Sequence, residues 1–144
     1  MSVDIDVCSN EDLAGIDALW REAFPDDEPR HRADAAAPAK LAFQPELFLV
    51  ARDGGRVIGS IVAGYDGYRG HINRVAVLKA YRRQGVGILL VHKAEARLRA
   101  LGCTKINLQI RAANHAVASF YRGLGYAVED RISMGKLVAA GDPP

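Results

Sequence analysis

Apolar and polar residues alternate near the start of the chain, where Val3, Ile5 and Val7 are separated by Asp4 and Asp6. This is the two-residue period of a strand with one face buried. Ser9 and Asp12 have the spacing of a capping box, with Asp in place of the usual Glu. They predict a helix with Leu13, Ile16, Trp20, Ala23 and Phe24 on one face, ended by Pro25 and followed by an Asp26-Asp27-Glu28-Pro29 loop. A second helix is expected from about Arg30 to Ala42, interrupted by Pro38. Glu46 to Arg52 and Arg56 to Tyr65 read as strands joined by a hairpin at Asp53-Gly54-Gly55. The turn Asp66 to Gly70 leads into a third strand, Ile72 to Val77, completing an antiparallel meander.

The period then changes. After Arg82-Arg83-Gln84-Gly85-Val86-Gly87, a helix is expected over Ile88 to Leu101, with Ile88, Val91, Ala94, Leu98 and Leu101 inward and Lys93, Glu95, Arg97 and Arg99 outward. Gly102 stands at its C-terminal stop. Lys105 to Ile110 reads as a strand parallel to the one before the loop, reached by a right-handed crossover. A short helix over about His115 to Leu124, stopped by Gly125, and strands at Tyr126 to Glu129 and Ile132 to Val138 complete the pattern. The tail from about residue 139 to 144 is expected to fray.

A chain of 144 residues fits one domain, 1–144. Its 49% hydrophobic and 25% charged residues exclude disordered, collagen-like and coiled-coil classes. Nineteen basic residues against 17 acidic ones give a net charge of +2, too small to argue for nucleic acid or an anionic membrane as the main partner. No apolar run approaches the roughly 20 residues that span a bilayer. The acidic, alternating start has no secretory pattern, and the chain reads as cytoplasmic. Cys8 and Cys103 are too few for a disulfide framework or zinc cluster and read as small buried thiols.

The chemistry concentrates at Arg82 to Gly87. A glycine-containing turn between a strand and a helix leaves backbone N–H groups unpartnered at the positive end of the helix dipole. Gly85 and Gly87 let a diphosphate approach the backbone, while Arg82 and Arg83 add charge. The loop is not a Walker A site, because Ile88 and Leu89 stand where Lys and Ser or Thr are needed. Leu90 and Asn107 replace the third Gly and the acid of a dinucleotide fingerprint.

The stretch resembles the Arg/Gln-x-x-Gly-x-Gly/Ala loop of the GCN5-related N-acetyltransferase (GNAT) superfamily. Further likenesses are Gly54-Gly55-x-Val57-Ile58-Gly59, Val75-Ala76-Val77 and the segment Asn114 to Tyr126, which contains Ala118-x-Phe120-Tyr121. The resemblance implies the family's α/β fold: a mixed sheet in the order β-α-α-β-β-β-α-β-α-β-β, with splayed parallel central strands. It also implies that acetyl-CoA is the co-substrate, that Arg82, Arg83, Gln84, Gly85, Val86 and Gly87 take its diphosphate, and that backbone groups of Val75, Ala76 and Val77 meet the pantetheine and acetyl oxygen. Asn114 is a pantetheine ligand, a helix cap or both. Tyr121 is the implied general acid at the CoA sulfur and a cofactor contact, with a packed helical tyrosine as the alternative.

Several relatives carry a Glu base where this chain has Gln109, so no base is assigned. His71, Asn73, Arg74, Asp66 and Glu46 lie on or near the meander. His71 reads more readily as an exposed or capping residue. The acceptor pocket implied by the family involves Trp20, Phe24, Asp26, Asp27, Glu28, Tyr65 and Tyr68, the acids either attracting a cationic amine or being simply solvated. The acceptor is then a primary amine of a small molecule or protein, with direct transfer and no metal. A non-catalytic acyl-CoA-binding or sensing module is the alternative, and an acetylase of charged tRNA is a third reading that the near-neutral charge disfavours. The last strand offers an edge at which a homodimer could form.

Overall fold

The computed structural model describes residues 2–138. Contacts divide them into two compact units, residues 2–109 and 110–138. In the larger unit, β1 (Val3–Val7), β2 (Phe48–Asp53), β3 (Arg56–Tyr65), β4 (Gly70–Val77) and β5 (Ile106–Asn107) form one sheet in the order β1-β2-β3-β4-β5. The first four are antiparallel neighbours, and β5 runs parallel to β4. The β2–β3 hairpin turns on Gly54 and Gly55, both with positive φ, as expected of their sequence.

Helices α1 (Leu13–Ala23), α2 (Ala33–Leu41) and α3 (Val86–Ala100) accompany this sheet. Phe48 to Ala51 and Val57 to Ile61 are buried without alternation, as strands covered on both faces must be. One core cluster joins Ile16, Leu19 and Trp20 of α1 and Ala33 and Ala37 of α2 to Phe48, Val50, Val57 and Ala76. The Trp20 and Phe48 rings stack at 5.9 Å. On α3 the buried residues are Val86, Leu90, Val91, Ala94 and Leu98, and a Cβ on Gly59 would meet Leu90 at 3.0 Å. A Cβ at position 59 would thus press on Leu90 of α3 and on the Ala76 carbonyl of β4 at 3.1 Å.

Asp12 carries more than the cap expected of it. Its carboxylate accepts the Ser9 N–H at 2.8 Å and is gripped by Arg52 of β2 at 2.9 Å and 2.6 Å. Asp12 is buried, and Arg52 holds its carboxyl below the usual carboxylate range. Cys8 and Cys103 are free, buried thiols, as expected, and burial pushes the Cys8 thiol up to about 12.

Several boundaries differ from expectation, among them β2, which starts at Phe48 rather than Glu46, and β4, which starts at Gly70 rather than Ile72. Helix α2 starts at Ala33 and α3 at Val86, so Val86 and Gly87 lie in a helical turn rather than in the loop. Ile88 and Leu101 are exposed, because the inward stripe of α3 starts from Val86. Strand β5 is confined to Ile106–Asn107, since only Gly70 and His71 of β4 lie opposite it. In the smaller unit α4 (His115–Gly123) is present, but no strand forms over residues 126–138. There Val128, Ile132 and Met134 are exposed. Their β propensity expresses fit to a half-buried pleated surface, and no ladder supplies one. The tail at 139–144 lies outside the described residues.

Candidate active site

The centre of the larger unit's site is an irregularity in β4. Ser60 pairs with Ala76 but Val62 pairs with Asn73, so β4 carries one extra residue against β3. The bulge lies at Arg74, whose φ of 53° is left-handed. Two hydrogen bonds show its effect: the Gly70 N–H turns outward to the carbonyl of Lys105, just before β5, at 3.0 Å, whereas the Leu78 N–H turns inward to Ile58 of β3 at 2.8 Å. These residues are an even number apart, and in an unbroken strand both N–H groups would face the same side. The bulge reverses the alternation.

Beyond it, the Ala76 N–H faces β3, while the Val75 carbonyl and both polar groups of Val77 face the edge that β5 has left. The Val77 carbonyl is held there by Arg82 Nε at 3.0 Å. From Val75 to Val77 the β4 edge thus carries backbone groups with no β5 ladder opposite them.

The chain from this edge to α3 is anchored at several points. The Lys79 N–H donates to Glu22 of α1 at 3.0 Å, and the Tyr81 hydroxyl donates to Asp53 of the hairpin at 2.8 Å. Arg83 and Gly85 both take positive φ, 62° and 81°, and Gly85 is the N-cap of α3. The Leu89 N–H reaches the Gly85 carbonyl at 3.0 Å. The N–H groups of Val86, Gly87 and Ile88 precede that first helical bond. A Cβ on Gly85 would meet nothing within 4 Å, so the space beside it is open. Arg82, Arg83 and Gln84 are exposed. The larger unit thus brings together all the loop residues singled out from the sequence.

Arg74 dominates the opposite side. Its guanidinium grips Asp27 at 2.7 Å and 3.0 Å and lies 4.5 Å from the Phe24 ring and 5.3 Å from the Trp20 ring. Asp27 is therefore neutralised, and Glu28 is paired with Arg30. The acidic loop is a set of ion pairs more than an open negative surface. Next to it a cleft of about 290 Å³ is lined in part by Trp20, Phe24, Asp27 and Arg32. Tyr68 is exposed beside Arg69, while the Tyr65 backbone is bound by Gln44. His71 and Asn73 are exposed on β4. Asp66 caps its own turn by accepting the Tyr68 and Arg69 N–H groups, which lower its carboxyl pKa.

In the smaller unit, Asn114 is the N-cap of α4 and accepts the Val117 N–H at 3.3 Å. Tyr121 is 7% exposed, and its ring meets Phe120 and Tyr126 edge-on. Burial pushes its phenol up to about 12. Among the described residues no group of three or more His, Cys, Asp and Glu could hold a metal ion, and no helix is long and apolar enough to cross a membrane.

Residues 13–126 match the Acetyltransferase (GNAT) family. The chain belongs to that family. Over 130 residues it is 38% identical to an acetyltransferase of Sodalis glossinidius (strain morsitans), covering 90% of this chain and 91% of that one. Among solved structures it is similar in fold to Ard1 from Thermoplasma volcanium, with a TM-score of 0.80, 23% identity, and coverage of 90% of this chain and 85% of that one. The PaiA N-acetyltransferase of Thermoplasma acidophilum, solved in complex with coenzyme A, also gives a TM-score of 0.80, with 21% identity and coverage of 92% and 94%. The sequence expectation of a GNAT fold is borne out.

Sequence reasoning missed Ser60 and the bulge. The available signal was a hydroxyl, Ser60, within the apolar run Val57 to Ala63 and a charged residue, Arg74, at a position where alternation placed a core residue.

Proposed function

We propose that this GNAT protein moves the acetyl group of acetyl-CoA directly to a primary amine of a small molecule or protein. The observation that carries the reading is the reversal of β4 at Arg74, which turns backbone groups of Val75 and Val77 to an edge with no β5 ladder opposite, leading to the N–H-rich start of α3. In this reading the pantetheine adds to that edge as a strand would. The diphosphate takes the N–H groups at Val86 and Gly87, with Gln84 and Gly85 beside it and Arg82 and Arg83 balancing its charge. Ala76 supports the strand between its two cofactor-facing neighbours. A coenzyme A complex of a protein of the same fold supports the choice of cofactor.

The amine nitrogen attacks the thioester carbonyl, and the Val75 N–H stabilises the resulting oxyanion. Collapse breaks the C–S bond, the nitrogen gives its proton to water, and Tyr121 protonates the departing thiolate and takes a proton back from solvent, with Asn114 as a pantetheine contact. A phenol at about 12 is protonated at neutral pH but is a poor donor to a thiolate near 8.5. The transfer therefore requires that the thiolate be desolvated as the phenol is, which raises both affinities for the proton. No residue is assigned as base. Asp27, the least exposed of the loop acids, is committed to Arg74.

The test is thiol release from acetyl-CoA in the presence of pooled primary amines. The expected result is release by at least one pool and a kcat lowered about 10²- to 10⁴-fold in Tyr121→Phe, with acetyl-CoA affinity retained. Gln109, which cannot accept a proton at the position where the family resemblance implies a Glu base, favours one other reading, an acyl-CoA-binding module without turnover. Tight binding with no release from any pool would establish that reading and refute direct transfer.

A further inference from the structure

We propose that Ser60, directed by Trp20, is a positioning residue that aims the Val75 N–H at the acetyl oxygen; this rests on the acetyl-transfer reading above. Ser60 is fully buried on β3, 0% exposed, among apolar neighbours. Its hydroxyl donates to the Arg74 carbonyl at 2.8 Å and accepts the Trp20 indole N–H at 2.9 Å. The indole can only donate, so the Ser60 oxygen must accept from it, leaving the single hydroxyl proton for Arg74.

The consequence passes through one peptide unit. The Arg74 carbonyl and the Val75 N–H belong to the same planar trans amide and point in opposite directions. No cis peptide is present among the described residues. Holding the carbonyl on the α1 side therefore fixes the N–H on the other side. A bulged residue has lost its ladder partner, so β3 alone would leave this amide free to rock. Ser60 supplies the missing constraint from the side chain of the facing strand. The Arg74 guanidinium, clamped by Asp27 and stacked on Phe24 and Trp20, restrains the same residue at its other end. Trp20 thus acts at both ends, through its N–H on Ser60 and through its ring on Arg74.

The experiment is difference infrared spectroscopy of acetyl-CoA labelled with carbon-13 at the carbonyl, bound to wild type, Ser60→Ala and Ser60→Thr, with calorimetric affinities for acetyl-CoA and for CoA. In wild type the carbonyl band should lie below that of the free thioester, because an aligned N–H polarises it. Ser60→Ala should return the band towards the free position. It should also weaken acetyl-CoA about three- to tenfold relative to CoA, the range of one lost hydrogen bond. Ser60→Thr, which keeps the hydroxyl, should restore the wild-type band. A merely structural role would weaken both ligands alike without moving the band. Should Ser60→Ala fail to fold, Ser60→Cys takes its place, its weak S–H donor giving an intermediate band.

An unmoved band in every foldable Ser60 variant, with wild type showing the lowered one, would overturn the assignment and leave the proposed function intact. Wild type that binds neither ligand would refute the proposed function, and this inference with it.

Discussion

Replacing Arg74 by glycine should leave a more stable protein than replacing it by alanine, although in an ordinary strand alanine is the better tolerated. Both substitutions remove the guanidinium from Asp27, Phe24 and Trp20, so those losses cancel in the comparison. What remains is the backbone at φ 53°. A residue with a Cβ pays about 1–2 kcal/mol there, whereas glycine pays little. Against this, glycine loses about 0.5–1 kcal/mol more chain entropy on folding. The difference favours glycine by roughly 0.5–1 kcal/mol, or about 2–3 °C in Tm for a domain of this size. Relative to wild type both should lose roughly 2 kcal/mol, because a partly buried Asp27 is left without its partner. Thermal unfolding of the two variants, with Ala63→Gly in the regular part of β3 as the reversed control, measures this. If Arg74→Ala equals or exceeds Arg74→Gly in stability, residue 74 is not held in the left-handed region and the reversal of β4 has another cause.

Three further outcomes follow from the charges and burial. Asp12 has its folded-state pKa lowered by Arg52, so its contribution is complete above the unfolded value near 4 and is lost as pH falls through the lower folded value. The stability gap between wild type and Asp12→Asn, roughly 2–3 kcal/mol at pH 7, should therefore shrink as urea midpoints are followed down to about pH 2, and a constant gap would refute the assignment. With its phenol pushed up to about 12, Tyr121 stays protonated through the working range, so the pH–rate profile should show no falling limb from it below about pH 10. A limb removed by Tyr121→Phe near pH 8 would contradict this. Cys8, with a thiol at about 12 and 4% exposure, should react with a disulfide reagent in a Cys103→Ser background only at the rate of unfolding. Prompt labelling of the folded protein would contradict its burial.

What the sequence disclosed and what it hid divide along physical lines. Local rules of period and turn chemistry identified β1, the Gly54-Gly55 hairpin, the α1 face ending at Pro25 and the glycine loop, since each depends on residues close together in the chain. Features set by partners far away in sequence were not legible. The Arg52 grip on Asp12 spans 40 positions, and the Arg74 grip on Asp27 spans 47. The shortness of β5 was hidden for the same reason: Leu108 has strand composition, but the ladder to β4 ends at Asn107. Ile88 misled because its apolar character fits an inward stripe, whereas the true stripe starts from Val86, inside the glycine motif. The acids at 26 to 28 read as an attractant for a cationic acceptor; Arg74 and Arg30 answer two of them.

The measurement that bears most directly on the central claim is calorimetric titration of acetyl-CoA into wild type and into Gly85→Glu. Position 85 borders open space, so a carboxylate placed there meets no protein atom near its Cβ, and the backbone strain of about 1–2 kcal/mol that any Cβ adds at φ 81° is carried equally by a Gly85→Ala control, which should keep binding. The account predicts one-to-one binding by wild type and its loss in Gly85→Glu. Equal binding by both proteins, or none by wild type, would contradict it.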